Sequence, residues 1–153
     1  MGLKHLAGDR KLKVTTRGLA PNRNYIISAT NLINGQSTQA RTKTRGGKFV
    51  RTLYLDTRGV NRVTVSDVKG GVAKTYITIG SQEIDCCIAK LVHDAINCTC
   101  KCNKCKEDLN RAQTIRLLLQ AAEYEASLGL TDSVVEKYNK AKELCTEVCA
   151  CGC

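Results

Sequence analysis

All ten cysteines of this 153-residue chain lie after residue 84, and all of its excess positive charge lies before it. Residues 1–84 hold 15 Lys and Arg against Asp9, Asp56, Asp67 and Glu83, a net of +11. Residues 85–153 hold 9 basic residues against 10 acidic ones, a net of −1. A shift that sharp predicts two modules, residues 1–82 and 83–153. With 42% apolar and 25% charged residues, the composition is globular rather than disordered. One Phe and no Trp leave the core to Val, Ile and Leu.

No apolar run approaches the roughly 20 residues that span a membrane. The start, MGLKHLAGDRKLKV, has no export-type apolar stretch, because Asp9 and Arg10 follow too soon. Leu6 stands where myristoylation wants Ser or Thr. The chain is expected to stay where it is made, in a reducing cytoplasm.

The first module reads as strands. Residues 12–16 and 25–30 alternate or are rich in β-formers, and 39–44 is polar enough for an edge strand. Residues 49–55 set Phe49, Arg51, Leu53 and Leu55 on one face and Val50, Thr52 and Tyr54 on the other. Residues 62–67 and 75–79 complete the set. Turn signals separate the runs: Ala20-Pro21-Asn22, Ile33-Asn34-Gly35, Arg45-Gly46-Gly47, Thr57-Arg58-Gly59 and Lys69-Gly70-Gly71. Short strands at this spacing predict an antiparallel sandwich. The segment Gly18-Leu19-Ala20-Pro21-Asn22 and the run from Gly59 to Asp67 with Gly70-Gly71 resemble the Ig-like domains of bacterial surface proteins and phage virion proteins.

Arg41, Lys43 and Arg45 alternate along one strand, with Lys48 and Arg51 close behind. Such a group fits a docking face for an acidic protein lattice, a phosphate-binding face, or simply a solvated edge that resists sheet-to-sheet pairing. Single-strand nucleic-acid binding wants exposed aromatics. Only Phe49, Tyr25, Tyr54 and Tyr76 are at hand, some of them in core positions.

The second module reads as three helices. Ile84, Ile88, Leu91, Val92, Ala95 and Ile96 predict a helix from Asp85 to Asn97. Leu109, Ala112, Ile115, Leu118, Leu119, Ala122 and Ala126 predict one from Glu107 to Leu128, stopped by Gly129. Ser133 and Glu136 have capping-box spacing, and Val134, Tyr138, Ala141, Leu144 or Cys145 and Val148 form the third stripe. The short connection predicts an antiparallel hairpin of the last two helices. Ala122-Glu123-Tyr124 with Lys137 to Ala141 resembles one tetratricopeptide unit, but a single hairpin builds no solenoid, so core spacing is the preferred reading.

Eight cysteines form two clusters: Cys98, Cys100, Cys102 and Cys105, and Cys145, Cys149, Cys151 and Cys153. In an antiparallel hairpin the two are expected to meet. Thiolates at Cys-x-Cys and Cys-x-x-Cys spacing favour tetrahedral zinc, and a structural zinc site is preferred. Disulfides formed after cell lysis are the alternative, with free thiols or an iron–sulfur cluster behind them. Cys87 is expected to pack as an apolar residue, and Cys86 to be an extra ligand or disulfide partner.

The stretch Ile84-Asp85-Cys86-Cys87-Ile88-Ala89-Lys90-Leu91-Val92, with Tyr138 to Cys145 and the Cys-Gly-Cys end, resembles Cys-rich proteins of tailed bacteriophages. That resemblance implies a virion structural role and supplies no catalytic residues. Nor does the sequence make a case for an enzyme. The only histidines are His5 and His93, and His93, beside Val92, is expected to be structural. Gly46-Gly47-Lys48 lacks the rest of a phosphate loop.

The expectation is therefore an α+β chain in two modules: an N-terminal antiparallel Ig-like β-sandwich and a C-terminal three-helix, Cys-rich module containing the hairpin. Its expected role is that of a non-enzymatic component of a tailed-phage virion, made in the host cytoplasm, in the capsid decoration, head–tail connector or tail. It would dock on other virion proteins in a symmetric multi-copy assembly, away from membranes. The alternative is a zinc-dependent nucleic-acid-binding protein, which is less favoured because the cysteines sit on the half without excess positive charge.

Overall fold

A computed structural model describes residues 2–5, 10–97 and 104–146, with side chains at 10–71, 74–97 and 106–145. The fold is α+β, strands first and helices after. The elements are β1 (Gly2–His5), β2 (Lys11–Thr16), β3 (Asn24–Asn31), β4 (Ser37–Lys43), β5 (Phe49–Tyr54), β6 (Gly59–Asp67), β7 (Val72–Gly80), α1 (Gln82–Ile96), α2 (Lys104–Ser127) and α3 (Thr131–Thr146). Two compact units divide between Gly80 and Ser81 (Ala126–Gly129, the end of α2 and its turn, excepted), two residues before the boundary expected from composition.

Two antiparallel sheets make up the strand unit, ordered β1-β2-β5 and β4-β3-β6-β7. Period-two alternation gives β2 and β3 one buried row each. Leu12 and Val14 of β2, Tyr25, Ile27 and Ala29 of β3, Phe49 and Leu53 of β5, and Val63 and Val65 of β6 join Leu55 in one buried cluster drawn from both sheets. Truncating one of these to Ala removes both transfer energy and packing, about 2–5 kcal/mol for a Leu or Ile. Arg51 sits opposite Val14, between Phe49 and Leu53 on the core-facing row, yet is exposed.

Buried polar side chains fasten the loops. Asn31 is fully buried, and its amide makes four hydrogen bonds. Its Nδ2 donates to the carbonyls of Asp56 (2.9 Å) and Arg58 (2.8 Å), and its Oδ1 accepts from the N–H groups of Ile33 (2.9 Å) and Asn34 (3.1 Å). The turn after β3 and the loop before β6 are thus held by one side chain. Thr44 acts similarly, donating to the Ala20 carbonyl at 2.6 Å and accepting from the Arg23 N–H at 3.2 Å. The chain passes from β4 to β5 through Arg45-Gly46-Gly47-Lys48. Arg45 and Lys48 exchange backbone hydrogen bonds there, and both glycines have positive φ (59° and 75°), a two-residue primed turn.

In the helical unit α1 buries Ile84, Ile88 and Leu91, α2 buries Ala112, Ile115, Leu119 and Ala122, and α3 buries Val134, Tyr138 and Ala141. Three features depart from the sequence expectation. Ile96 is 73% exposed at the end of α1, and Leu109 is 44% exposed. The position that continues the buried row of α2 upstream of Ala112 is Asp108, with Arg111 Nη1 at 3.8 Å from its Oδ1. The capping box also does not form. Helix α3 starts at Thr131, two residues before Ser133, and the Leu130 carbonyl accepts from the Val134 N–H. Ser133 Oγ instead donates to Glu125 Oε2 at 2.6 Å. The expected stop at Gly129 does form. With φ at 75°, the Gly129 N–H reaches the Ala126 carbonyl and the Leu130 N–H the Glu125 carbonyl, a Schellman closure. Among the described residues no helix is long and apolar enough to cross a membrane.

Candidate interaction surface and cysteine sites

The five basic residues singled out from sequence are all exposed, but they fall in three places. Arg41 and Lys43 lie on β4, an edge strand of the four-stranded sheet, where residues 37, 39, 41 and 43 form the outward row. Arg45 and Lys48 close the glycine turn. Arg51 belongs to the other sheet.

The register adds a residue that sequence spacing does not reveal. Arg41 pairs with Ile26 and Ile26 with Ser66; Gln39 pairs with Ser28, Ser28 with Thr64 and Thr64 with Thr75; Ser37 pairs with Thr30 and Thr30 with Arg62. These residues share the outward face, so Arg62 of β6 joins Arg41 and Lys43 there. The core-facing row includes Tyr25 and Tyr76, opposite Asp67 and Val63 respectively.

Electrostatics set this face apart. Among the described residues of the strand unit the only carboxylates are Asp56 and Asp67. Arg58 binds Asp56 through Nε at 2.9 Å and Nη2 at 2.7 Å, and Arg23 pairs with Asp67 at 3.0 Å. The Arg58 hydrogen bonds hold the Asp56 carboxyl below the usual carboxylate range, against a smaller opposing effect of burial. Both carboxylates are thus engaged away from Arg41, Lys43 and Arg62.

On the outward row of the three-stranded sheet, Tyr54 is 66% exposed, a surface rather than a core position. Lys11 lies over its ring, 5.8 Å from the centroid.

The cysteine sites divide as well. Cys87 of α1 is disulfide-bonded to Cys145 of α3, with Cα atoms 5.9 Å apart, inside the usual range for a disulfide. Cys87 is therefore a cross-link and not simply an apolar packing residue, while Cys86 is free and exposed. Cys145, expected among the metal ligands, is held near the start of α1. The other end of that helix, Ile96, lies about 14 Å along its axis from Cys87 at 1.5 Å per residue. Cys98, Cys100, Cys102, Cys149, Cys151 and Cys153 lie outside the described residues, as does the side chain of Cys105. Among the described residues no three His, Cys, Asp or Glu side chains group to hold a metal.

His93 is surface-exposed, not packed into the core, and its Nδ1 stands 3.6 Å from Asp94 Oδ1, beyond hydrogen-bond distance for that pair. No protein family, curated protein or solved structure matches the chain.

Proposed function

We propose that this chain is a non-enzymatic structural protein of a tailed-phage virion that docks on neighbouring subunits through its basic strand unit. The observation that carries the docking part is the outward face of the four-stranded sheet, where Arg41, Lys43 and Arg62 are exposed while both described carboxylates of the unit are tied to Arg58 and Arg23. Uncompensated charge on a rigid sheet suits association with an acidic surface. The virion setting rests on the resemblance of the Asp85-Cys86-Cys87-Ile88-Ala89-Lys90 stretch and the Cys-rich end to phage proteins.

The finer fold reading supports the same role. The orders β1-β2-β5 and β4-β3-β6-β7 correspond to A-B-E and C′-C-F-G of an Ig-like sandwich, a scaffold widespread in surface assemblies. An antiparallel α2–α3 hairpin is supported by the Schellman closure at Gly129 and by Lys137 Nζ donating to Glu125 Oε1 at 2.6 Å. The remaining clustered cysteines are proposed to hold structural zinc, a closed site with no substrate position. Mass spectrometry of purified particles of the encoding phage tests the reading. The chain is expected as a stoichiometric component, and its absence from particles contradicts the proposal.

A further inference from the structure

We infer that the outward face of the four-stranded sheet is a docking surface for an extended, carboxylate-rich segment of a neighbouring protein. This deepens the docking reading above and rests on it. The face is ordered by register: a row of Gln39, Ser28, Thr64 and Thr75 crosses all four strands. Arg41 and Lys43 stand on one side of that row and Arg62 on the other. The row offers hydroxyl and amide donors, and the ends offer cations. A guanidinium binds a carboxylate through two parallel N–H···O bonds, which gives direction as well as attraction.

The spacing constrains the partner. Arg41 aligns with Ile26 and Arg62 with Thr30, so the two are four residues apart along β3 and two strand widths apart across the sheet. At about 3.3 Å per residue and 4.8 Å per strand their Cα atoms are about 16 Å apart. An extended segment covers that in about five residues. The fitting partner therefore carries acidic side chains about four or six residues apart, because only residues an even number apart share one face of an extended segment, and lies diagonally over the hydroxyl row.

Carboxylate is favoured over phosphate by what shares the face. Tyr25 and Tyr76 belong to the core-facing row, so the face has no stacking platform for bases. Three cations are also few beside the 6–10 phosphate contacts of a typical duplex-binding site.

The test uses the full chain and labelled poly-L-glutamate, followed by fluorescence anisotropy at low salt. A variant with Arg41→Ala, Lys43→Ala and Arg62→Ala is expected to bind at least about tenfold more weakly. A control with Arg10→Ala, Arg17→Ala and Lys69→Ala loses the same charge and is expected to change affinity less than about threefold, which separates a shaped site from bulk attraction. Equal losses in the two variants overturn the inference. Thr64→Glu places a carboxylate at the centre of the face and is expected to weaken binding by a similar factor with an unchanged melting temperature. Unaltered binding by that variant also overturns it, as does tighter binding of single-stranded DNA than of polyglutamate. The virion reading fails separately, by absence from particles, and that result leaves the polyglutamate measurement standing.

Discussion

Cys87 in the first turns of α1 and Cys145 near the end of α3 are covalently joined, closing 58 residues of chain that include all of α2. The bond fixes the two flanking helices of the unit to each other, and apart from Ile84 the buried rows of α1, α2 and α3 lie inside the loop it closes. Chain-entropy arguments assign a closure of this length about 4 kcal/mol, by restricting the unfolded chain.

Reduction is accordingly expected to weaken the helices selectively. Reductant, or Cys87→Ser, should lower the melting temperature of the helical circular dichroism signal by several degrees. The strand unit, which has no cysteine, should keep its own transition. Peptide mapping without reductant should recover a Cys87–Cys145 linked pair.

Asn31 is expected to be the least replaceable polar residue of the strand unit. Asn31→Ala strands two carbonyls and two N–H groups, and a loss of about 3 kcal/mol is predicted from urea unfolding. Asn31→Asp keeps the acceptor but turns a carboxylate oxygen toward the carbonyls of Asp56 and Arg58, so it should be no better.

The glycine turn provides a paired contrast. A Cβ on Gly47 would clash with the Leu19 carbonyl oxygen, whereas one on Gly46 meets nothing within 4 Å. Gly46→Ala should cost only its left-handed backbone strain, about 1 kcal/mol. Gly47→Ala adds a backbone clash and should cost at least twice that. Equal costs would show that the Leu19 contact is unimportant.

Acid should loosen the helical unit through Glu125. Hydrogen bonds, first from Lys137 and then from Ser133, hold its carboxyl below the ordinary range. A depressed folded value stabilises the fold above the unfolded value, near 4.3, and the contribution is lost as pH falls through the folded one. Glu125→Gln should lower the urea midpoint at neutral pH, and the gap to the unaltered chain should close in acid.

Much of the architecture is legible in the residues. The alternations at Leu12/Val14, Tyr25/Ile27/Ala29 and Val63/Val65 mark buried rows because strand side chains alternate by geometry. Gly129 marks the end of α2 because its backbone must turn left-handed. β1 is not legible: it is four residues long and carries Lys4 and His5. The helix starts run upstream of their first apolar residue through Gln82-Glu83 and Lys104-Cys105-Lys106, where no periodicity exists to read. The Cys87–Cys145 pairing depends on how α1 and α3 come together, which cysteine spacing does not encode. Arg41 and Lys43 share a face by simple alternation. Arg62 joins them only through strand register, and Arg45, Lys48 and Arg51 leave the group because the chain changes sheets at Gly46-Gly47.

Carbodiimide cross-linking of purified particles of the tailed phage proposed to encode the chain, read by mass spectrometry, addresses docking most directly, because it joins a lysine to a carboxylate only at contact distance. The account predicts that this chain is present in the particles and that Lys43 is coupled to an Asp or Glu of a neighbouring virion protein. Particles that lack the chain, or that contain it with Lys43 uncoupled while lysines elsewhere on it are joined to neighbours, would contradict it.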